Sequence, residues 1–309
     1  MIAKENWTRE IKAKAAALGF DGITIAKAEY MDEEARHLQA WLDQGLHGGM
    51  DYMTEHFDKR VDPTRLVPGA QSVISLMYNY HTEEVQKDPL APKIASYAYG
   101  KDYHRVVKKQ LVKLLKWMKK EIGDITVRYF VDSGPILERD WAKRSGMGWT
   151  GKHTLLINKQ KGSYFFLAEI VTDIELDYEG PTADHCGTCT RCIDACPTDA
   201  ISAEGYLVDA SKCISYLTIE HKGGIPEDFS GKMADYIYGC DICQQVCPWN
   251  KFASPHANPA LAAKEAVINL TKQDWEDLTS EAFEKLFIGS PLKRAQYEGI
   301  KRNIKFLDQ

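Results

Sequence analysis

Over the first 178 residues, apolar positions alternate between helical spacing and short unbroken runs, the signature of helices interleaved with strands. Trp7–Leu18 has the helical spacing and stops at Gly19, and Asp21–Ala28 follows as a short strand. Gln71–Tyr80 (QSVISLMYNY) is strongly apolar, partly β-branched, and starts after a Pro68-Gly69 turn. The clearest helix is His104–Ile122. Val107, Leu111, Leu114, Leu115 and Met118 form its apolar stripe; Arg105, Lys108, Lys109, Lys113, Lys116, Lys119 and Lys120 form the other face. Ile125–Val131 and Ser163–Val171 read as strands, and the second is apolar enough to predict burial on both faces. Glu138–Ser145 reads as a helix. The fold class expected is α+β or α/β, with helices covering a sheet.

Periodicity breaks near Tyr178-Glu179-Gly180-Pro181, and short turns dominate until about Trp249. Asn258–Ala266 and Ser280–Phe287 then read as helices interrupted by prolines, and Lys293, Arg294, Lys301, Arg302 and Lys305 make the end basic. The pattern divides the chain into an α/β domain (1–178), a turn-rich segment (179–252) and a short helical basic tail (253–309).

Composition changes this picture at one point. The chain has 309 residues, 44% apolar and 27% charged, with a net charge of −5, which is ordinary for a globular protein. Its eight cysteines, however, all lie between Cys186 and Cys247. The N-terminal stretch lacks an uninterrupted apolar core and a twin-arginine signal, and no apolar run approaches the ~18 residues of a membrane span. The expectation is a cytoplasmic protein with no membrane association, so metal ligation is favoured over disulfides.

The spacing supports that choice. Cys186-x2-Cys189-x2-Cys192-x3-Cys196-Pro197 is the bacterial-ferredoxin iron–sulfur motif, and Cys240-x2-Cys243-x3-Cys247-Pro248 follows, with Cys213 between. In two-cluster ferredoxins the last cysteine of a run ligates the other cluster. That crossing assigns Cys186, Cys189, Cys192 and Cys247 to one 4Fe–4S cluster, and Cys196, Cys213, Cys240 and Cys243 to a second. Zinc ribbons also use C-x2-C pairs, but they do not explain the third cysteine at the same interval or the prolines.

Other motifs are weaker. Gly146–His153 nearly matches a phosphate loop, but His153 replaces the hydroxyl residue and a helix, not a strand, precedes it. No dinucleotide fingerprint G-x-G-x-x-G occurs. Asp132, in V-D-S-G-P, ends an apparent strand, where it either meets a ligand or caps the helix that follows. The lysine face of His104–Ile122 is either a solvated surface or a phosphate-binding one. His47, His56, His81, His185 and His221 show no metal-ligand pairing.

Taken together, Tyr97–His104 (YAYGKDYH), Val131–Arg139 (VDSGPILER), Gly148–Ile157 (GWTGKHTLLI), Cys213–Glu220 (CISYLTIE), Tyr238–Asn250 (YGCDICQQVCPWN) and the first cysteine group resemble the epoxyqueuosine reductase family, in family order. The resemblance implies a nitroreductase-like α/β domain that binds cobalamin, followed by a ferredoxin-like two-cluster domain. It implies reduction of epoxyqueuosine to queuosine at the wobble position (34) of a tRNA with a GUN anticodon, through Co(I) fed by the clusters and an external low-potential donor. Asp132 matches the family's proton donor, a role that needs a neutral carboxyl group. By position, cobalamin contacts are expected from Arg60, Tyr99, Asp132, Ser133, His153, Ser215 and Glu220. No histidine stands in an Asp-x-His-x-x-Gly setting, so a base-off cofactor without a protein lower ligand is expected. A monomer is expected, and so is a form lacking the C-terminal helical repeats of longer members. The His104–Ile122 face and the Lys293–Lys305 tail are then the candidates for RNA contact. The rival readings are a corrinoid reductive dehalogenase and a non-catalytic ferredoxin-type electron carrier.

Overall fold

A computed structural model of the chain describes residues 4–308. Four strands make one sheet in the order Gly22–Lys27, Ser72–Asn79, Phe165–Thr172, Val127–Phe130, and every neighbouring pair is antiparallel. Strand residues point alternately to opposite faces. Ile74, Leu76, Ala168 and Ile170 therefore share a core with Ile11 of helix Lys4–Ala17 and with Leu111, Leu114 and Met118 of helix Tyr103–Ile122. On the other face, Val73 and Val171 pack with Trp141, and Met77 and Phe165 pack with Ala142, both from helix Glu138–Arg144. The central strands are thus buried on both faces, as the apolar run Ser163–Val171 predicts for one of them. The sheet is antiparallel, so the α+β reading describes it, and the strand-end position of Asp132 is not the crevice of a parallel sheet.

The turn-rich segment holds two short helices, Arg191–Asp194 and Ile242–Gln245, packed against each other. A buried polar network ties it to the sheet. Gln244 Nε2 donates to Ser163 O (3.0 Å), Asn250 Nδ2 donates to Gln244 O (2.7 Å), and Ser163 N–H donates to Asn250 Oδ1 (2.7 Å). Only glycine fits at 162, where φ is +70° and a Cβ would lie 2.2 Å from Asn250 Oδ1.

Residues beyond 253 are not a loose tail. Trp275, Phe283, Phe287 and Ile300 form a second core with Ala98, Tyr99 and Tyr238. The helix expected over Asn258–Ala266 is absent: Asn258 folds its side chain onto the Ala260 N–H (2.9 Å) ahead of Pro259, and helix starts only at Glu265–Ile268. Two helices that the pattern did not predict, Asp32–Asp43 and Gln296–Leu307, complete the fold. The basic end is also mostly engaged. Arg302 donates to the carbonyls of Leu217, His221 and Gly223 (2.7–2.8 Å), Lys301 to that of Glu276 (2.5 Å), Arg294 forks onto Glu220, and Lys293 pairs with Glu284. No helix among the described residues is long and apolar enough to cross a membrane.

Candidate active site

The strand Val127–Phe130 runs into the V-D-S-G-P turn. Asp132 takes φ +57°, a left-handed conformation that costs a non-glycine residue about 1 kcal/mol or more. Gly134 is required because a Cβ there would lie 2.4 Å from the Phe130 ring. Asp132 does not cap the next helix, whose N-cap position is Leu137. Instead the first helical residue reaches back, and Asp132 N–H donates to Glu138 Oε1 at 2.6 Å.

The Asp132 carboxylate is thereby presented to helix Tyr103–Ile122. Its Oδ2 accepts from Tyr103 OH at 2.6 Å and lies 3.1 Å from His104 Nε2. His104 Nδ1 lies 2.8 Å from Asp102 Oδ1, and Asp102 caps the helix by accepting the His104 N–H at 3.0 Å. Two ring nitrogens facing two carboxylates can both be satisfied only if both carry hydrogen. Burial alone would lower the His104 pKa, but its hydrogen bonds to Asp102 and Asp132 prevail and push it up to about 9. Burial would raise Asp132, yet hydrogen bonds from His104 and Tyr103 hold it below the usual carboxylate value. The protein alone therefore carries an ionised Asp132 with the proton on His104; the neutral carboxyl group expected of a proton donor is a property of the filled site. The Asp132 side chain is 58% exposed, open to whatever occupies the site.

The cysteines gather at two cavities. A small one, about 60 Å³, is lined by Cys186, Cys189, Cys192 and Cys247, together with Trp249 and His185, a histidine to which the sequence assigned no role. A larger one, about 390 Å³, has Cys196, Cys213, Cys240 and Cys243 in its wall. Burial and then the neighbouring thiols push Cys192 up to about 11, against a lowering hydrogen bond from its own backbone; burial is also the main cause that pushes Cys240 up to about 12. Thiols so crowded resist ionisation in the bare chain, and positive metal centres would relieve that strain.

The rest of the larger cavity is mostly apolar, with Leu155, Leu156, Phe165, Leu167, Ile201 and Val208 in its lining. His153 and Ser215, two of the residues expected to contact the cofactor, line it. His153 Nδ1 accepts from Leu155 N–H at 3.1 Å, which leaves the ring hydrogen on Nε2, and that nitrogen is buried without a partner. Burial, then the charge of Arg139, pushes His153 down to about 4, so it is neutral. Apolar walls and one unpartnered donor fit a flat macrocycle edged with amide acceptors, and the backbone contact keeps the histidine from turning a lone pair inward.

Other expected contacts lie elsewhere. Tyr99 is buried in the C-terminal core, and Glu220 is held by Arg294. Arg60 is buried, donating to the carbonyls of Tyr52 (2.6 Å), Glu55 (3.1 Å) and Gly134 (3.4 Å), so it braces the Asp132 turn instead. Ser133 is exposed within that turn. Sequence reading missed Tyr97 and Arg139, which do line the cavity although both sit inside quoted motifs. Tyr97 stacks edge-on to Tyr103 at 6.0 Å, so one aromatic layer separates the cavity wall from the tyrosine bonded to Asp132. The phosphate-loop match is a hairpin, Trp149–Thr150 paired with Leu156–Ile157.

These features recur in known proteins. A family model described as a 4Fe-4S double cluster binding domain matches residues 185–250, and one described as Epoxyqueuosine reductase QueG, DUF1730, matches residues 60–133. The chain is 52% identical to an epoxyqueuosine reductase of Cyclobacterium marinum over 99% of this chain and 98% of that one. It is 43% identical to that of Vibrio cholerae, covering 96% and 81%. Among solved structures, an epoxyqueuosine reductase with an epoxyqueuosine-modified tRNA-Tyr stem loop superposes with a TM-score of 0.87 at 29% identity, over 98% and 80%. A Bacillus subtilis epoxyqueuosine reductase, described with its aspartate catalytic loop swung out of the active site, superposes at 0.89 with 28% identity, over 98% and 81%. The catabolic reductive dehalogenase NpRdhA shares the fold, with a TM-score of 0.53 at 17% identity over 81% and 32%. With identity above half over nearly the full length of both chains, the chain belongs to the epoxyqueuosine reductase family.

Proposed function

We propose that this chain reduces the epoxide of epoxyqueuosine to the alkene of queuosine at the wobble position of tRNA, as a cytoplasmic monomer drawing on an external low-potential donor. The reaction consumes two electrons and two protons and releases water. One observation carries the reading: a proton held between His104 and Asp132 stands one aromatic layer from a cavity whose wall contains a complete set of four thiols. Cys186, Cys189, Cys192 and Cys247 would hold one 4Fe–4S cluster, and Cys196, Cys213, Cys240 and Cys243 the other. His153 and Ser215 would contact a cobalamin in the larger cavity. When bound, those groups supply single-electron delivery and a strongly reducing cobalt centre.

The chain's own part is positioning and proton control. His104 Nε2 carries a proton 3.1 Å from Asp132 Oδ2, and Asp102 orients the ring. Displacing water from the exposed Asp132 favours its neutral form, and the proton then moves across that hydrogen bond to the oxygen that assists departure of the epoxide oxygen. The store stays full until pH approaches the folded His104 pKa and empties as pH rises through about 9. We expect kcat/KM in the wild type to fall as pH rises through that value. In His104→Gln, kcat/KM should be lower by about 10-fold or more, with that limb lost. A wild-type limb that persisted in the variant would refute the assignment.

The helix that presents Tyr103 and His104 also offers a route for RNA. Arg105, Lys108, Lys109, Lys113, Lys116, Lys119 and Lys120 are exposed along its roughly 30 Å length. Reversing Lys109, Lys116 and Lys119 to Glu should weaken binding of an anticodon stem loop about 10-fold or more and flatten its salt dependence. Binding and salt slope unchanged from wild type would remove this face from consideration. Reversing Arg302 should destabilise the fold instead, since its donors hold three backbone carbonyls. The function as a whole is tested by anaerobic turnover of an epoxyqueuosine-bearing stem loop with a strong reductant. A preparation loaded with iron, sulfide and cobalt that leaves the epoxide intact would overturn it.

A further inference from the structure

Behind Asp132 lies a second pair of acids that the reaction scheme leaves unused. Glu169 sits in the central strand, in register with Ser75 on one side and Phe130 on the other, and is fully buried. Neither of its carboxyl oxygens has a hydrogen-bond partner of ordinary geometry, and Ser75 Oγ beside it has none. The acid that interacts with it is Glu138, at the start of the helix covering that face, whose Oε1 receives the Asp132 N–H at 2.6 Å. Two facing carboxyl groups out of water cannot both ionise, so the pair keeps a proton at neutral pH. Burial raises both, Glu138 to about 8 and Glu169 well above the usual range; the charge of Asp132 raises Glu138 further while a hydrogen bond from Glu169 lowers it, and Glu138 raises Glu169 further.

The groups that face Glu138 are few. Asp132 faces it from the turn, Glu169 from the sheet, and Tyr103 and His104 from the long helix. His104 is the cation among them, and it is already shared by Asp102 and Asp132. Holding Glu138 in place as an acceptor therefore falls to the proton on Glu169. The object held is a turn with reason to leave: Asp132 is left-handed, its side chain is exposed, and the corresponding loop of the Bacillus subtilis relative is described as swung out.

We propose that Glu138 is a positioning residue, which fixes Asp132 in its working conformation by accepting its backbone N–H, and that Glu169 holds Glu138 there by supplying a shared proton. This rests on Asp132 being the proton donor. Glu138 touches neither substrate nor cofactor in the scheme. It acts by keeping the Asp132 carboxylate within reach of Tyr103 and His104, so its loss lowers kcat and leaves RNA affinity alone.

The test uses holoenzyme of Glu138→Ala, Glu138→Gln and Glu169→Gln, each matched to wild type for iron and cobalt content. Glu138→Ala should lose about 10-fold or more in kcat, with KM for the stem loop within about 3-fold. Glu138→Gln, whose amide oxygen still accepts the Asp132 N–H, should recover most of that loss. Infrared difference spectra between neutral and alkaline pH should show the band of a protonated, buried carboxyl group that shifts or weakens in Glu169→Gln. A Glu138→Ala enzyme with wild-type kcat, a glutamine variant as impaired as the alanine one, or a carboxyl band unchanged in position and intensity in Glu169→Gln would each overturn the proposal. A fully active Asp132→Ala enzyme would instead overturn the donor reading beneath it.

Discussion

Asp132→Ala is expected to lower kcat for epoxide reduction by about 10²–10⁴-fold, the usual contribution of a positioned general acid, while stem-loop affinity and metal content stay at wild-type values. Asp132→Asn should be nearly as impaired, because an amide keeps the hydrogen bonds of Tyr103 and His104 but has no transferable proton of suitable acidity. The two variants should differ in the neighbouring histidine. Removing the charge of Asp132 takes away one of the two anions that raise His104, so its pKa should fall from about 9 toward the ordinary value in both variants. Asp102, which keeps its 2.8 Å contact, limits that fall, and the asparagine should limit it slightly more by still accepting a hydrogen bond. Stability shifts with it: the contribution His104 makes when charged is complete below 6.5 and is lost as pH rises through its folded pKa, so the variants should lose it at lower pH than wild type. Full turnover by Asp132→Ala would show that protons reach the epoxide by another route.

This proton arrangement was only partly legible in the sequence. V-D-S-G-P could be seen to place a carboxylate at a strand end, but nothing local said that Glu138 would reach back to its N–H or that Tyr103 and His104 would arrive from another element. Those contacts depend on tertiary packing. What was legible was local in origin. The stripe Val107, Leu111, Leu114, Leu115 and Met118 has the period of a helix and is buried as that period requires. The same limit explains the uneven cofactor contacts. In Y-A-Y the motif cannot tell which ring faces a cavity, and the 3-10 turn at Ser96–Ala98 turns Tyr97 toward it and Tyr99 into the second core. Arg60 is an arginine beside the site, yet its donors are taken by backbone. The basic C-terminal residues read as a surface and prove to be mostly internal fasteners, because sequence shows charge but not its partner. The net charge of −5 misleads for the same reason: it does not show that six exposed lysines and Arg105 line one helix.

The cysteine sets carry the other large prediction, since they decide whether electrons reach the site at all. Substituting Cys186 and Cys247 together by serine should remove one cluster, cutting iron from about 8 to about 4 per chain. Substituting Cys186 and Cys196 together should disturb both clusters and leave far less, although these two are the closer in sequence. The opposite ranking would follow if each run closed its own cluster, with Cys186, Cys189, Cys192 and Cys196 together. The cavity linings support the crossed scheme. Cys247 shares a small cavity with Cys186, Cys189 and Cys192, whereas Cys196 faces the larger one with Cys213, Cys240 and Cys243. Each double variant should also lose turnover by about 100-fold or more, because one broken cluster interrupts a serial path, and each should melt earlier, because binding free energy of the metal is part of folding free energy. Iron retained at about 8 in the Cys186/Cys247 pair would refute the crossed assignment, and with it the reading of the cavity thiols as the terminus of the electron path.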